Sequence, residues 1–211
     1  MTSHKTTLLV VRHGETLWNA EQRFQGHGDS RLTPKGRHGA KALGRRLGEM
    51  DFDLLISSDL GRAMETAAII AESTGHPIGV DKRLRERHYG VLEGLTIPEI
   101  QEGFPEAYER LAASDPEYVI PQGESRRQHY DRNIGFFREA IAKNEGMTLV
   151  LVAHGGVLDS LFRFVAGLPL DRPPCFISAN TSLSIVSHGS FRYCARWVIE
   201  TWGDVAHLEQ G

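Results

Sequence analysis

Two short apolar runs, each ending in a histidine and a glycine, constrain the fold of this chain most. Leu8-Leu9-Val10-Val11 leads into Arg12-His13-Gly14-Glu15-Thr16, and Val150-Leu151-Val152-Ala153 leads into His154-Gly155-Gly156. Short runs of this composition suit strands buried on both faces of a sheet. Around them the pattern alternates strand with helix. Residues 6–11 read as the first strand. Thr33 and Pro34 supply an N-cap and a first helical position, and Ala40, Leu43 and Leu47 then recur at helical spacing. Residues 54–56 and 78–80 read as further strands. Between them a helix runs through Arg62, Thr66, Ala67 and Ile70, with Ser57, Ser58 and Asp59 expected to cap its start. The expected architecture is a three-layer α/β/α fold, a mostly parallel central sheet flanked by helices. In such sheets ligands bind beyond the carboxyl ends of the strands, and Arg12, His13 and His154 fall there.

At 211 residues, with 40% hydrophobic and 24% charged side chains, the chain suits one domain over residues 1–211 with a substantial core. Residues 84–123 break the alternation. They are rich in glycine, proline and acidic residues, with short helices expected near residues 98–101 and 105–112, and read as a lid inserted over the sheet. A long helix over 124–142 follows, with Ile134, Phe137 and Ile141 on one face. A helix over 157–166 and strands around 183–186 and 191–198 complete the pattern. A net charge of −3 argues against a general nucleic-acid or membrane-surface role. No signal peptide or membrane-spanning apolar run is read, so the expected compartment is the cytoplasm. Cys175 and Cys194, without CxxC spacing, read as reduced structural thiols. A homodimer is compatible with this sequence, which does not fix an oligomeric state.

Gathering the strand ends would bring two guanidiniums, Arg12 and Arg62, to two imidazoles, His13 and His154. Arginine forks pair bidentately with phosphate or carboxylate. Two around one point imply a dianion, and phosphate fits best. The helix start near Ser58 would add its dipole and free N–H groups. A histidine beside phosphate has two jobs open to it: hydrogen-bonding the group, or attacking phosphorus to become a phosphohistidine. Either transfer needs a proton for the leaving oxygen, and Glu86, which opens the lid segment, is the best-placed acid. A metal hydrolase with His13, Glu86, His88 and His154 as ligands is an alternative from the same residues. Arginines beside the ligands oppose a cation, and HExxH or closely spaced His/Asp pairs are missing, so no metal or other cofactor is expected. A phosphate-binding module without catalysis would need the arginines but neither the second histidine nor Glu86. The GxG within Gln25-Gly26-His27-Gly28 has no clear helix after it and does not read as a dinucleotide site. Asn180 reads as organising a loop or facing the site.

Taken in order, Arg12-His13-Gly14-Glu15-Thr16 with Trp18-Asn19, Gln25-Gly26, Leu32-Thr33-Pro34-Lys35-Gly36, Ser57-Ser58-Asp59-Leu60-Gly61-Arg62-Ala63, Leu84-Arg85-Glu86, Pro121-Gln122-Gly123-Glu124-Ser125 and Val152-Ala153-His154-Gly155-Gly156 carry a resemblance. The chain resembles the histidine phosphatase, or phosphoglycerate mutase-like, superfamily from about residue 8 to residue 208. The resemblance implies that His13 is the nucleophile and that Arg12, Arg62 and His154 form the phosphate pocket, with His154 part of the catalytic set. It implies that Asn19 contacts a phosphate oxygen or the substrate. Glu86 would be proton donor to the leaving group and later base for water. Gln25, Gly26, Arg87 and Gly155 would lie on the substrate side, Arg87 as a grip for a carboxylate, and no metal would be used.

Glu86-Arg87-His88-Tyr89-Gly90 is similar to the stretch found in phosphoglycerate mutases. Beyond it, this chain has Gly94-Leu95-Thr96-Ile97-Pro98 where mutases carry a lysine, and lacks their long insertion with paired arginines. Arg126-Arg127 is no substitute, because it follows the Gly123-Glu124-Ser125 motif inside a helix. Gly156 stands where mutases have asparagine. The resemblance therefore implies the phosphatase branch, a metal-independent phosphomonoesterase acting on small phosphorylated metabolites through a phosphohistidine. The alternative is a 2,3-bisphosphoglycerate-dependent mutase interconverting 2- and 3-phosphoglycerate. The expected partner is a small phosphate ester, with no nucleic acid and no membrane.

Overall fold

The computed structural model describes residues 5–174, 176–191 and 194–209. Cys175 and the Cys194 side chain lie outside them, and with them the reading of the two thiols. Six strands form one sheet in the order β3-β2-β4-β1-β5-β6. β1 (Thr6–Arg12), β2 (Leu54–Ser57), β3 (Ile78–Val80) and β4 (Thr148–Ala153) are mutually parallel, while β5 (Leu183–Phe191) and β6 (Cys194–Asp204) close the far side antiparallel. The strand side chains alternate between two cores, as the two-residue period of a strand requires. Leu8, Val10, Leu149 and Leu151 pack with Phe137 and Ile141 of α6 (Arg126–Lys143) and with Val157 and Leu161 of α7 (Gly155–Ala166). Leu9, Val11, Val150 and Val152 pack on the opposite face with Leu43 and Leu47 of α2 (Pro34–Gly48) and Ala67 and Ile70 of α3 (Gly61–Thr74). This is the three-layer α/β/α arrangement.

Thr33 caps α2 as expected, its hydroxyl accepting from the Gly36 amide at 3.0 Å. The start of α3 corrects the reading of Ser57-Ser58-Asp59. Leu60 is the N-cap and makes no side-chain cap, because the two polar side chains nearest the helix have stronger partners: Ser58 bonds His154 and Asp59 pairs with Arg85. A one-turn helix, α1 (Leu17–Ala20), was not foreseen; a reciprocal capping box between Thr16 and Asn19 makes it. Helix α6 begins two residues later than expected, since the Glu124 carboxylate instead holds the His88 amide and Arg132. Helix α7 begins at Gly155, directly after His154.

Residues 84–123 form an ordered cover with α4 (Ile97–Gly103), α5 (Pro105–Ala112) and a 3-10 turn over Gly90–Leu92. It has a small core of its own in which Leu92, Ile100, Ala107 and Ile120 are buried. Strand register decides what lies beneath it. Arg12 pairs with Ala153, and Ser57 with Val152, so His13, His154 and Ser58 follow at one level of the sheet edge. The His13 and Ser58 amides bond back to the Ala153 and Val152 carbonyls at 2.9 Å each.

Candidate active site

His13 is 3% exposed. One ring nitrogen, Nδ1, lies 2.8 Å from the Gly14 carbonyl. That bond fixes the tautomer: Nδ1 carries the proton and donates, leaving a lone pair on Nε2. Nε2 faces the Nε donor of Arg62 at 3.2 Å. Burial, with Arg62 and Arg12 adding positive potential, holds the His13 pKa well below the usual histidine value. The imidazole is therefore neutral and nucleophilic at neutral pH.

Arg62 enters from the first turn of α3 and is 1% exposed. Its other nitrogens donate to the Gly28 and Gly26 carbonyls at 2.9 and 2.7 Å, so the loop carrying Gln25 and Gly26 is tied to this buried arginine. Arg12 is anchored by the Ser178 carbonyl, while its buried Nε has no protein partner. The His154 ring lies 5.2 Å from the His13 ring, centroid to centroid. Its Nε2 is 2.8 Å from the Ser58 hydroxyl, and its buried Nδ1 has no protein partner. Desolvation and Arg62 hold His154 well below the usual histidine value too. Two guanidiniums, two neutral imidazoles and two unpaired buried nitrogens make a cage suited to an oxyanion.

A cavity of about 290 Å³ is lined by Arg12, His13, Asn19, Gln25, Gly26, Arg62 and Glu86. The Asn19 oxygen accepts from the Thr16 backbone amide and the Asn180 side chain, and the Gln25 oxygen from the Thr16 hydroxyl. Both therefore offer the cavity an amide N–H donor. Asn180 bridges the His13 carbonyl and Asn19, as a loop organiser facing the site does. A larger cavity of about 520 Å³ shares Arg12, Phe24, Glu86 and Tyr89 with the first, and adds Arg87, Arg126, His129, Gly155, Gly156 and Asp159.

Glu86 stands on the common wall. Its two oxygens accept from the Arg87 amide at 2.8 Å and the Gly156 amide at 3.0 Å, which aim the carboxyl rigidly into the cleft. Burial and the nearby Glu86 push the Tyr89 phenol up to about 12, so Tyr89 keeps its proton. Arg87 is buried, with Nε and Nη2 donating to the Glu124 and Tyr118 carbonyls. Among the described residues there is no group of three or more His, Cys, Asp or Glu side chains that could hold a metal ion. Nine of the ten residues singled out in the sequence line these two cavities, and the tenth, His154, lies behind them against the His13 ring. Two contributors, Tyr89 and His129, were not singled out, and Ser58 was read only as part of a helix start rather than as the partner of His154. His129 could have been found, since it continues the Asn133 and Phe137 stripe of α6 as a polar residue on a buried face.

A profile of the histidine phosphatase superfamily (branch 1) matches residues 8–205. The chain belongs to the histidine phosphatase superfamily. A probable phosphoglycerate mutase, GpmB, of Serratia proteamaculans is 39% identical over 203 residues, 96% of this chain and 94% of that protein. Among solved structures, YhfR of Bacillus stearothermophilus superposes with a TM-score of 0.86 at 36% identity, covering 96% of this chain and 99% of that one. A mycobacterial glucosyl-3-phosphoglycerate phosphatase bound to VO3 gives 0.81 at 35% identity, covering 93% and 98%. Histidine phosphatases with mutase names and with phosphatase names thus both stand close to this chain. No described helix is long and apolar enough to cross a membrane.

Proposed function

We propose that this histidine phosphatase superfamily member is a phosphomonoesterase that transfers the phosphoryl group of a small cytoplasmic metabolite to His13 and then to water. The observation that carries the reading is the His13 ring, its Nδ1–H held by Gly14 and its Nε2 lone pair facing Arg62 inside the cage. Arg12, Arg62 and His154 bind the phosphate oxygens, and the two guanidiniums supply the charge neutralisation that a metal would bring. His13 Nε2 attacks phosphorus as the bond to the ester oxygen breaks. Glu86 gives its proton to that oxygen, and the alcohol leaves. Water then attacks the phosphohistidine, Glu86 takes its proton, and phosphate departs with His13 neutral again.

The hydrolytic outcome is supported by what surrounds the cage. Arg126 occupies the first turn of α6, where its guanidinium is engaged by the Leu170 and Arg172 carbonyls and by Asp159. Arg127 turns outward to Glu117. Gly94 to Pro98 supplies no cation. Neither segment provides a second phosphate grip that would hold a bisphosphorylated intermediate while it reorients. The test is rapid-quench labelling with a chromogenic phosphate ester. The wild type should give an acid-labile phosphoenzyme and release phosphate, be inhibited competitively by vanadate and be indifferent to chelators, and His13→Ala should lose both turnover and label. Near-full activity in His13→Ala ends the nucleophile assignment. Isomerisation of 3-phosphoglycerate with 2,3-bisphosphoglycerate, at a rate above hydrolysis, replaces the hydrolase reading with the mutase one.

A further inference from the structure

His129 has no part in the steps above, yet it sits in the larger cavity. It is 3% exposed, and its Nε2 is buried without a hydrogen-bond partner. The ring has a backbone hydrogen bond with Arg85, and because Nε2 is unpaired we assign that bond to Nδ1. Such a bond is made to a carbonyl, so Nδ1 donates and Nε2 presents a lone pair. Nε2 is 3.8 Å from Glu86 Oε1, beyond hydrogen-bond reach. Two acceptors this close to one another favour a donor that reaches either of them. Burial, with Arg132 and Arg87 nearby, keeps the ring neutral, as an acceptor must be.

A second acceptor lines the same wall. Asp159 gives Oδ2 to Arg126 and Arg163, while Oδ1 is buried without a partner. Two of the cations there are engaged, Arg87 by two backbone carbonyls and Arg126 by two carbonyls and Asp159, and the third, Arg12, belongs to the phosphate cage proposed above. A leaving group beyond the phosphate therefore meets unpaired acceptors. Unpaired acceptors favour hydroxyls and disfavour a carboxylate.

We propose that His129 sets the leaving-group class: its Nε2 accepts a hydrogen bond from a hydroxyl on the carbon next to the ester, so that monoesters of neutral polyols are preferred. This rests on the hydrolase reading, with Glu86 protonating the ester oxygen and His129 holding the neighbouring one. Asp159 Oδ1 then accepts from a more distant hydroxyl.

The test compares kcat/KM for glycerol 1-phosphate, propyl phosphate and 3-phosphoglycerate in the wild type, His129→Leu and His129→Gln, with p-nitrophenyl phosphate as an independent report of hydrolysis. The wild type should favour glycerol 1-phosphate over propyl phosphate by about tenfold or more, the worth of a buried hydrogen bond. It should favour it over 3-phosphoglycerate as well. The leucine variant should lose the preference for the hydroxyl, and glutamine, which keeps an acceptor, should retain part of it. A wild-type ratio near one, an unchanged ratio in His129→Leu, or equal loss in both variants overturns the proposal while hydrolysis stands. If leucine does not fold, the wild-type ratios and the glutamine variant decide. Failure to hydrolyse any ester, p-nitrophenyl phosphate included, overturns the hydrolase reading and this proposal together.

Discussion

At the scale of single residues, the departure most consequential for the site is Gly156. A β-carbon built there would lie 2.1 Å from Glu86 Oε1 and 3.0 Å from His129 Cε1. As placed, the Glu86 carboxyl occupies the space that a side chain at position 156 would take. Gly156→Ala should push the carboxyl back and lower kcat for alkyl phosphates, while the phosphate cage, which does not include this position, keeps its affinity for vanadate. A variant with unchanged kcat would show that the carboxyl yields to the methyl without losing its reach into the cleft. Glu86→Gln keeps the shape but removes the proton. Phosphoenzyme formation should then fall by about a hundredfold or more for poor leaving groups, the usual worth of general acid catalysis, and far less for p-nitrophenolate. Equal slowing for both leaving groups would assign Glu86 to positioning alone.

At the scale of elements, the His13 loop is held by close backbone packing rather than by its own sequence. The first turn of α2 presses Gly36 against this loop so tightly that a β-carbon would lie 2.1 Å from the Glu15 carbonyl oxygen. The Gly14 amide in turn donates to Thr66 of α3 at 2.9 Å. Gly36→Ala must move backbone, which does not yield as a side-chain tip does. It should destabilise by about 1–3 kcal/mol, as overpacking generally does, and weaken vanadate binding as the loop shifts. Thermal melting and inhibitor titration read both effects, and an unchanged Tm would show that α2 rides free of the loop. Elements whose cause is local were legible in the sequence. Thr33-Pro34 announces α2, and Pro105 lies at the first position of α5. The start of α3 was not legible, because Ser58 and Asp59 look like caps until the partners that claim them, His154 and Arg85, arrive from distant parts of the chain.

At the scale of the whole molecule, folding buries three neutral histidines, His13, His129 and His154, all held well below the usual pKa of 6.5. Unfolding exposes them and lets them take up protons, so the unfolded state binds more protons at mildly acidic pH. Stability should be retained above pH 6.5 and fall as pH drops below it, by about 1.4 kcal/mol per pH unit for each histidine that stays neutral in the folded state. Urea unfolding at a series of pH values between 7.5 and 5.5 checks the sign. A flat profile would mean that these rings are already charged in the fold. The same depression extends the nucleophilic form of His13 to lower pH, so kcat/KM should hold below pH 6.5 wherever the protein remains folded.

The layered architecture was legible in the sequence, and so were the residues that gather at the strand ends. Strand runs, helix periods and caps are local patterns, and Arg12, His13, Arg62 and His154 stand in motifs whose order alone marks the superfamily. Tertiary structure decided what surrounds them. The parallel register of β2, β4 and β1 brings Ser58 to His154 and both to His13. The fold of the cover sets Glu86 on the Gly156 amide, with His129 beside it. The two hydrogen-bonded pairs among them, Ser58 with His154 and Glu86 with Gly156, join residues 70 or more positions apart, and the rest turns on which nitrogen of a ring is left unpaired. No local pattern encodes such pairings, because each partner's own neighbours in sequence are the same whether or not the pairing forms.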